Sequence, residues 1–274
     1  MISLDSLGFR LTEEAAWNNA FWLGLFIALA MFVLVPIRTG KSLPKVALSN
    51  GWPVLASGVL QTVSTSFFIL AIDTTAVSNV VAIVAATPML AAFVAHFAIK
   101  ERTSNRTWLA IAAAIGGVLI IVSGSLGDGS IEGDIYAVVA ISAFSINLTI
   151  WRRLPRMNRQ VVIGIGGLIL ALIAFFPADP SSVRIEAILI LAFLGLFTGP
   201  AGRVSIATST RYLPVAQVGL FVPVETLAAT TWAWLFLSEV PASSTITGGL
   251  IVIVSVVFGV ARQQNSEAVA AAPI

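Results

Sequence analysis

The stretch Gly195–Glu239, GLFTGPAGRVSIATSTRYLPVAQVGLFVPVETLAATTWAWLFLSE, decides how the chain is read. It contains two apolar helices joined by a tight basic turn at Arg211–Tyr212–Leu213–Pro214. Arg203 falls inside the first helix and Glu225 inside the second, and they read as the only charges deep in a chain otherwise suited to hydrocarbon. A charge near the centre of a bilayer costs roughly 2.5–3.5 kcal/mol on insertion scales, so each needs a partner or a purpose.

Outward from this hairpin the composition points the same way. Of 274 residues 58% are hydrophobic and 10% charged, and the mean hydropathy is +0.97. Soluble domains carry about 25% charged residues. Apolar runs of helical, bilayer-spanning length recur along the chain, and the alternating ten-residue pattern of a membrane β-barrel is absent. There is no cysteine, which excludes disulfides, thiolate metal sites and cysteine nucleophiles. The first fifteen residues lack the apolar core of a cleavable signal peptide.

The expected architecture is an all-α polytopic membrane protein with about nine transmembrane helices: Trp17–Ile37, Pro53–Ile72, Val77–Ile99, Trp108–Ser123, Ile135–Trp151, Val161–Phe176, Ala187–Ser209, Val215–Leu237 and Thr245–Val260. Trp17, Trp52, Trp108, Trp151 and Tyr212 fall at span ends, where amphipathic rings favour the interface. Alternate loops hold twelve of the fifteen Lys and Arg residues, among them Arg152, Arg153, Arg156 and Arg159 in one loop. The opposite side holds only Arg10 and Arg184, which leaves Arg203 alone within a span. The positive-inside rule then predicts a multi-pass protein of the cell (inner or plasma) membrane with its C-terminus in the cytoplasm.

The chain also repeats itself weakly at an offset of 138 residues. Thr74–Glu101, TTAVSNVVAIVAATPMLAAFVAHFAIKE, aligns with Tyr212–Glu239, YLPVAQVGLFVPVETLAATTWAWLFLSE, with Glu101 on Glu239. The first copy runs from outside to inside and the second from inside to outside. Such inverted repeats build carriers whose substrate site lies at the bilayer midplane. The predicted division is a first repeat over residues 1–123 with four helices, a second over 134–262 with five, and a flexible tail over 263–274. Either the first copy has lost most of its opening helix or the given start lies inside it, and MISLDSLGFRLTEEA then reads as the end of that helix and its loop.

These residues resemble the drug/metabolite transporter superfamily, of the EamA-repeat type. The resemblance rests on Ala86–Gly124, Gly133–Arg153 and Arg211–Pro241 and covers nearly the whole chain. It implies a ten-helix inverted-repeat fold with a central cavity and the carriage, often outward, of small metabolites. The chain departs from that pattern in three places. The first helix is mostly missing, Leu23 stands where relatives look to carry an arginine, and Thr226 stands where the repeat usually has the proline that Pro88 supplies.

The candidate substrate-binding or coupling residues are Arg203, Glu225, Gln61, Asn147, Thr65 and Gln217. Measured from the turn, Arg203 and Glu225 come within about 5 Å of the same height, which an arginine can bridge. One reading is a pair facing the cavity, with Glu225 exchanging protons or Arg203 binding an anionic group. The other is a structural ion pair that locks the hairpin. Gln61 and Thr65 share a helix face, as do Gln217 and Glu225. The candidate hinges or kinks are Pro88, Gly199, Pro200 and Pro223; Gly199–Pro200 reads either as a broken helix or as a packing kink. His96 has no second histidine to share a metal, and Gly164–Gly167, GIGG, reads as helix packing.

A carrier, a non-transporting or truncated scaffold of the same fold, an intramembrane enzyme and a channel compete as readings. The enzyme lacks a dyad, an aspartate pair or an HExxH motif, and the channel lacks a filter. The expected function is secondary-active export of a small metabolite such as an amino acid. The expected partners are the lipid bilayer, a small-molecule substrate and protons as a coupling ion. Homodimerisation through glycine-rich faces stays open. No nucleic acid, cofactor or metal is expected.

Overall fold

A computed structural model describes residues 2–75, 77–122, 130–237 and 243–260. The chain is helical throughout this range: α1 Ile2–Thr12, α2 Ala16–Thr39, α3 Leu43–Asn50, α4 Trp52–Thr74, α5 Val77–Val84, α6 Thr87–Ile99, α7 Asn105–Val122, α8 Ile131–Arg153, α9 Arg159–Phe175, α10 Ile185–Phe193, α11 Gly199–Ser209, α12 Val215–Gly219, α13 Phe221–Leu237 and α14 Ser243–Val260. A π-helical turn, Leu194–Thr198, joins α10 to α11. Glu239, Arg262, loop residues 125–129 and the 263–274 tail lie outside the described residues, as do the side chains of Arg10 and Thr226.

The expected spans correspond to helices within a few residues. Four segments (α2, α4, α8 and the run Ile185–Ser209) are long and apolar enough to cross a bilayer, and five shorter apolar helices account for the other expected spans among the described residues. Large apolar side chains face outward along them, such as Val33, Leu55, Leu172, Leu189 and Val254. In water such a surface would be a liability; against lipid it is the expected solvent-facing side. The short α3 lies between α2 and α4 where a plain loop was expected.

Shifting the first half by 138 residues lays α2 over α9, α4 over α10–α11, α5–α6 over α12–α13 and α7 over α14. The short α1 falls on the second half of α8. Repeat-related helices pack on one another, α2 against α9 and α7 against α14. The α2–α9 contact is backbone to backbone. A Cβ on Gly24 would lie 2.7 Å from the Gly167 carbonyl oxygen, and one on Gly167 would lie 2.8 Å from that of Gly24. In the same GIGG run, Gly164 receives Met31 from α2 and Gly166 receives Gln61 from α4.

The prolines act differently from mid-helix kinks. The expected Val77–Ile99 helix is interrupted at Ala85–Ala86, and Pro88 sits in the first turn of α6. There its missing N–H costs no intrahelical bond. Pro223 likewise sits in the first turn of α13, after an interruption at Leu220. The second interruption comes three residues earlier in its repeat than the first, matching the earlier proline. The two interruptions touch, since a Cβ on Gly219 would lie 2.8 Å from Cα of Pro88. Gly199–Pro200, by contrast, does not break its helix. The segment stays helical over Ile185–Ser209 and absorbs the proline in the π turn, in which the Gly199 N–H bonds back to the Leu194 carbonyl.

Replacing Gly167 with valine is expected to lower the melting temperature in detergent, with overpacking of about 1–3 kcal/mol. Gly116→Ala, where a Cβ meets nothing within 4 Å, is the matched control and is expected to be neutral or stabilising.

Candidate functional site

Where α1, α4, α5, α6, α8, α11 and α13 converge they line a partly open cavity. Its walls are mainly apolar, with Phe9, Phe68, Ile69 and Phe144 prominent. Its polar lining is Asp5, Gln61, Ser64, Thr65, Thr87, Arg203 and Glu225. Four of the six candidate residues therefore share one space. Asn147 stands behind that lining and holds Gln61, while Gln217 points elsewhere and donates to the Gly259 carbonyl of α14 at 3.3 Å.

The expectation of only two deep charges is corrected. Asp5 on α1 is 2% exposed, and its Oδ2 accepts a hydrogen bond from Arg203 Nη2 at 3.0 Å. Glu225, the partner expected from the hairpin, lines the same cavity from α13. Local sequence explains how the arginine fits. Gly199 lies one turn before it, and a Cβ there would come within 2.8 Å of Nη1. A helical side chain leans toward the N-terminus, so the glycine leaves room for the guanidinium. The ion pair is incomplete: Arg203 Nη1 and Asp5 Oδ1 are both buried with no hydrogen-bond partner among the described residues. The site therefore holds one unused donor and one unused acceptor on the two halves of an ion pair.

By sequence Asp5 belongs to the tail of a helix and a loop, where an acid carries no signal of burial. The repeat offset held the signal. It sets Asp5 on Ala143, in the middle of α8, so a continued helix would carry the acid to membrane depth.

A second polar array faces this pair from α4 and α8. The Trp151 indole N–H donates to Ser57 Oγ at 2.7 Å, and Ser57 donates to Asn147 Oδ1. Asn147 Nδ2 donates to Gln61 Oε1 at 3.5 Å, and Gln61 Nε2 donates to Thr65 Oγ1 at 3.4 Å. Trp151 was expected at the membrane interface; it is 1% exposed, and its bond to Ser57 explains why it is turned inward. At the 138-residue offset Thr65 corresponds to Arg203 and Gln61 to Gly199. The α4–α8 contact with its amides and the α11–α1 contact with its ion pair are thus repeat-related faces with different chemistry.

Polar ties join several helices near the C-terminal end of α8. Arg152 pairs with Glu101 at 2.9 Å and donates to the Thr210 carbonyl at 3.2 Å. The other oxygen of Glu101 accepts the Val215 N–H at 2.8 Å, capping α12. Glu101 thereby joins the end of α6 to α8 and α12. Arg159, expected in a loop, is buried as the first residue of α9, where it donates to the carbonyls of Trp151, Leu154 and Ala207. Five guanidinium donors satisfy several carbonyls at once, which stabilises an arginine there. His96 is exposed and lies edge-on to Phe97. Leu23, the arginine position of the resembled pattern, is fully buried in the apolar core with Ile27 and Leu191.

Comparison with known proteins agrees with this architecture. The model of the EamA-like transporter family matches residues 10–123 and again 131–260. A Bacillus subtilis (strain 168) protein named "Uncharacterized transporter YdfC" is 24% identical over 184 residues, which cover 64% of this chain and 60% of the relative, so the match spans about three fifths of that protein's length. A solved structure titled "Crystal structure of protein" superposes with a TM-score of 0.80 at 14% identity, over 95% of this chain and 94% of the other. That likeness concerns the fold. With two family matches spanning nearly the whole chain and a cavity among packed apolar helices, the protein belongs to the EamA-like transporter family.

Proposed function

We propose that this membrane transporter exports a small zwitterion or anion of the amino-acid class by alternating access between its two inverted repeats. The observation that carries the reading is the incomplete Arg203–Asp5 pair in the cavity, with one donor and one acceptor unused among the described residues. A carboxylate meets the free Nη1, and an ammonium meets the free Oδ1 or Glu225. Charge-assisted bonds of this kind are roughly twice as strong as neutral ones. The apolar walls favour a ligand with an apolar side chain, such as leucine.

Intramembrane ionisable residues usually mark substrate or ion paths, which supports roles for Arg203 and Glu225 beyond locking the hairpin. Protons are the proposed coupling ion, exchanged at Glu225. With the basic loops in the cytoplasm, the Glu101–Arg152 tie closes the cytoplasmic end of the cavity. The interruptions that meet at Gly219 and Pro88 supply a place for the halves to rock. A non-transporting scaffold of the same fold would keep the ties without moving substrate.

In proteoliposomes, uptake of radiolabelled L-leucine is expected to respond to an imposed pH gradient and to fall at least tenfold in Arg203→Gln and in Glu225→Gln; normal transport by both variants overturns the assignment. Asp5→Asn leaves the guanidinium without its counter-charge, a loss on the order of 3–5 kcal/mol for a buried pair. Its melting temperature is expected to drop, and millimolar leucine is expected to restore it in part.

The chain has no native cysteine, so a single Ile206→Cys reports access to the cavity. Adding Glu101→Gln is expected to speed its labelling by an impermeant maleimide from the cytoplasmic side several-fold. An unchanged rate argues against a gate at this tie.

A further inference from the structure

The hydrogen bonds from Trp151 to Thr65 have a direction fixed by their first member. An indole N–H donates and never accepts. Ser57 Oγ accepts it and keeps a second lone pair, but its one hydrogen cannot return to the indole and goes to Asn147 Oδ1; turning the Asn147 amide over would leave that buried hydrogen without an acceptor among the described residues. The Asn147 amide is thereby oriented with its NH₂ toward Gln61, whose own oxygen must face it. Gln61 then turns its NH₂ to Thr65, whose oxygen accepts. One hydrogen is left over: that of the Thr65 hydroxyl, which faces the cavity and has no acceptor among the described residues.

We infer that Trp151 and Ser57 are specificity-positioning residues that make Thr65 a one-way donor, so that the cavity selects a ligand presenting an acceptor oxygen there. The inference rests on the reading of the cavity as the substrate site. Serine, threonine and both amides can each reverse by rotation, and on its own such a chain would serve donors and acceptors alike. The buried indole, which accepts nothing, leaves the Ser57 hydrogen to Asn147 Oδ1, and reversing the chain would cost that bond at a buried hydroxyl. Bonds donated in one direction also polarise one another, so the Thr65 hydrogen is a better donor than an isolated hydroxyl. The outer two links are the long ones, at 3.5 and 3.4 Å, and so have room to shorten when an acceptor draws on Thr65. Together with Arg203, a donor only, the cavity then offers two donors, which suits a carboxylate and disfavours its amide.

The test compares the dissociation constants of L-leucine and L-leucinamide on purified protein. Wild type is expected to prefer leucine. Ser57→Ala, at a buried position outside the cavity lining, cuts the chain; it is expected to compress that preference about tenfold, the scale of one hydrogen bond. Asn147→Asp still accepts from Ser57 but cannot donate to Gln61, so it turns Gln61 and Thr65 around and is expected to reverse the preference. An equal loss for both ligands in Ser57→Ala, or an unchanged ratio in both variants, overturns the inference.

If wild type binds neither ligand, the substrate reading falls, and the chain is judged by the ¹⁵N–¹H resonance of the Trp151 indole, assigned by its disappearance in Trp151→Phe. That resonance is expected to move upfield in Ser57→Ala and to shift in Asn147→Asp as Ser57 donates to a charged acceptor. A stationary resonance in Asn147→Asp overturns the directed chain without reference to any substrate.

Discussion

Two helices approach until their backbones touch only where neither carries a Cβ, and Gly24 with Gly167 meets that condition. Apolar side chains gain little from leaving lipid for each other, so packing and close approach hold membrane helices together. With α2 and α9 locked at this contact, Gly166 and Gly58 bring α4 onto α9, and α4 in turn carries Gln61 and Thr65 to the cavity. The width of the polar site is therefore set by glycines that have no polar chemistry of their own.

The second constraint is the hydrogen-bonding demand of the backbone in hydrocarbon. Two spans are interrupted, and in each a proline occupies the first turn of the helix that resumes. Because the interruptions abut at Gly219 and Pro88, irregular backbone is buried in protein and not offered to lipid. The polar ties at the other end of the cavity, from Glu101, Arg152 and Arg159, use the same logic. Each long side chain satisfies backbone groups where a helix begins or ends.

Much of this was legible in sequence. The spans follow from hydropathy, and the repeat offset aligns helix starts as far apart as Asn105 and Ser243. Gln61, Thr65, Arg203 and Glu225 were visible because polar groups in apolar spans are conspicuous, and all four reach the cavity. What stayed hidden depends on side-chain direction or on segments that look unremarkable alone. A tryptophan at a span end follows the interfacial preference until a buried serine is found opposite its N–H. Asp5 lies in a short, polar-looking segment, and only burial by neighbouring helices raises its energetic weight. Gln217 shares a helical face with Glu225 by spacing, yet the interruption at Leu220 intervenes and the two side chains take different environments.

The π turn before Arg203 has a geometric result of its own. Each residue of an α-helix advances about 100° around the axis, and a π turn takes in one residue more than an α turn. Without it, Arg203 would continue the stripe through Leu196, Ala192 and Leu189, of which Leu189 is 63% exposed on the outer surface. With it, Arg203 follows Gly195 and Leu191, both buried. A register slip of a single residue thus separates a guanidinium aimed at Asp5 from one aimed at the acyl chains.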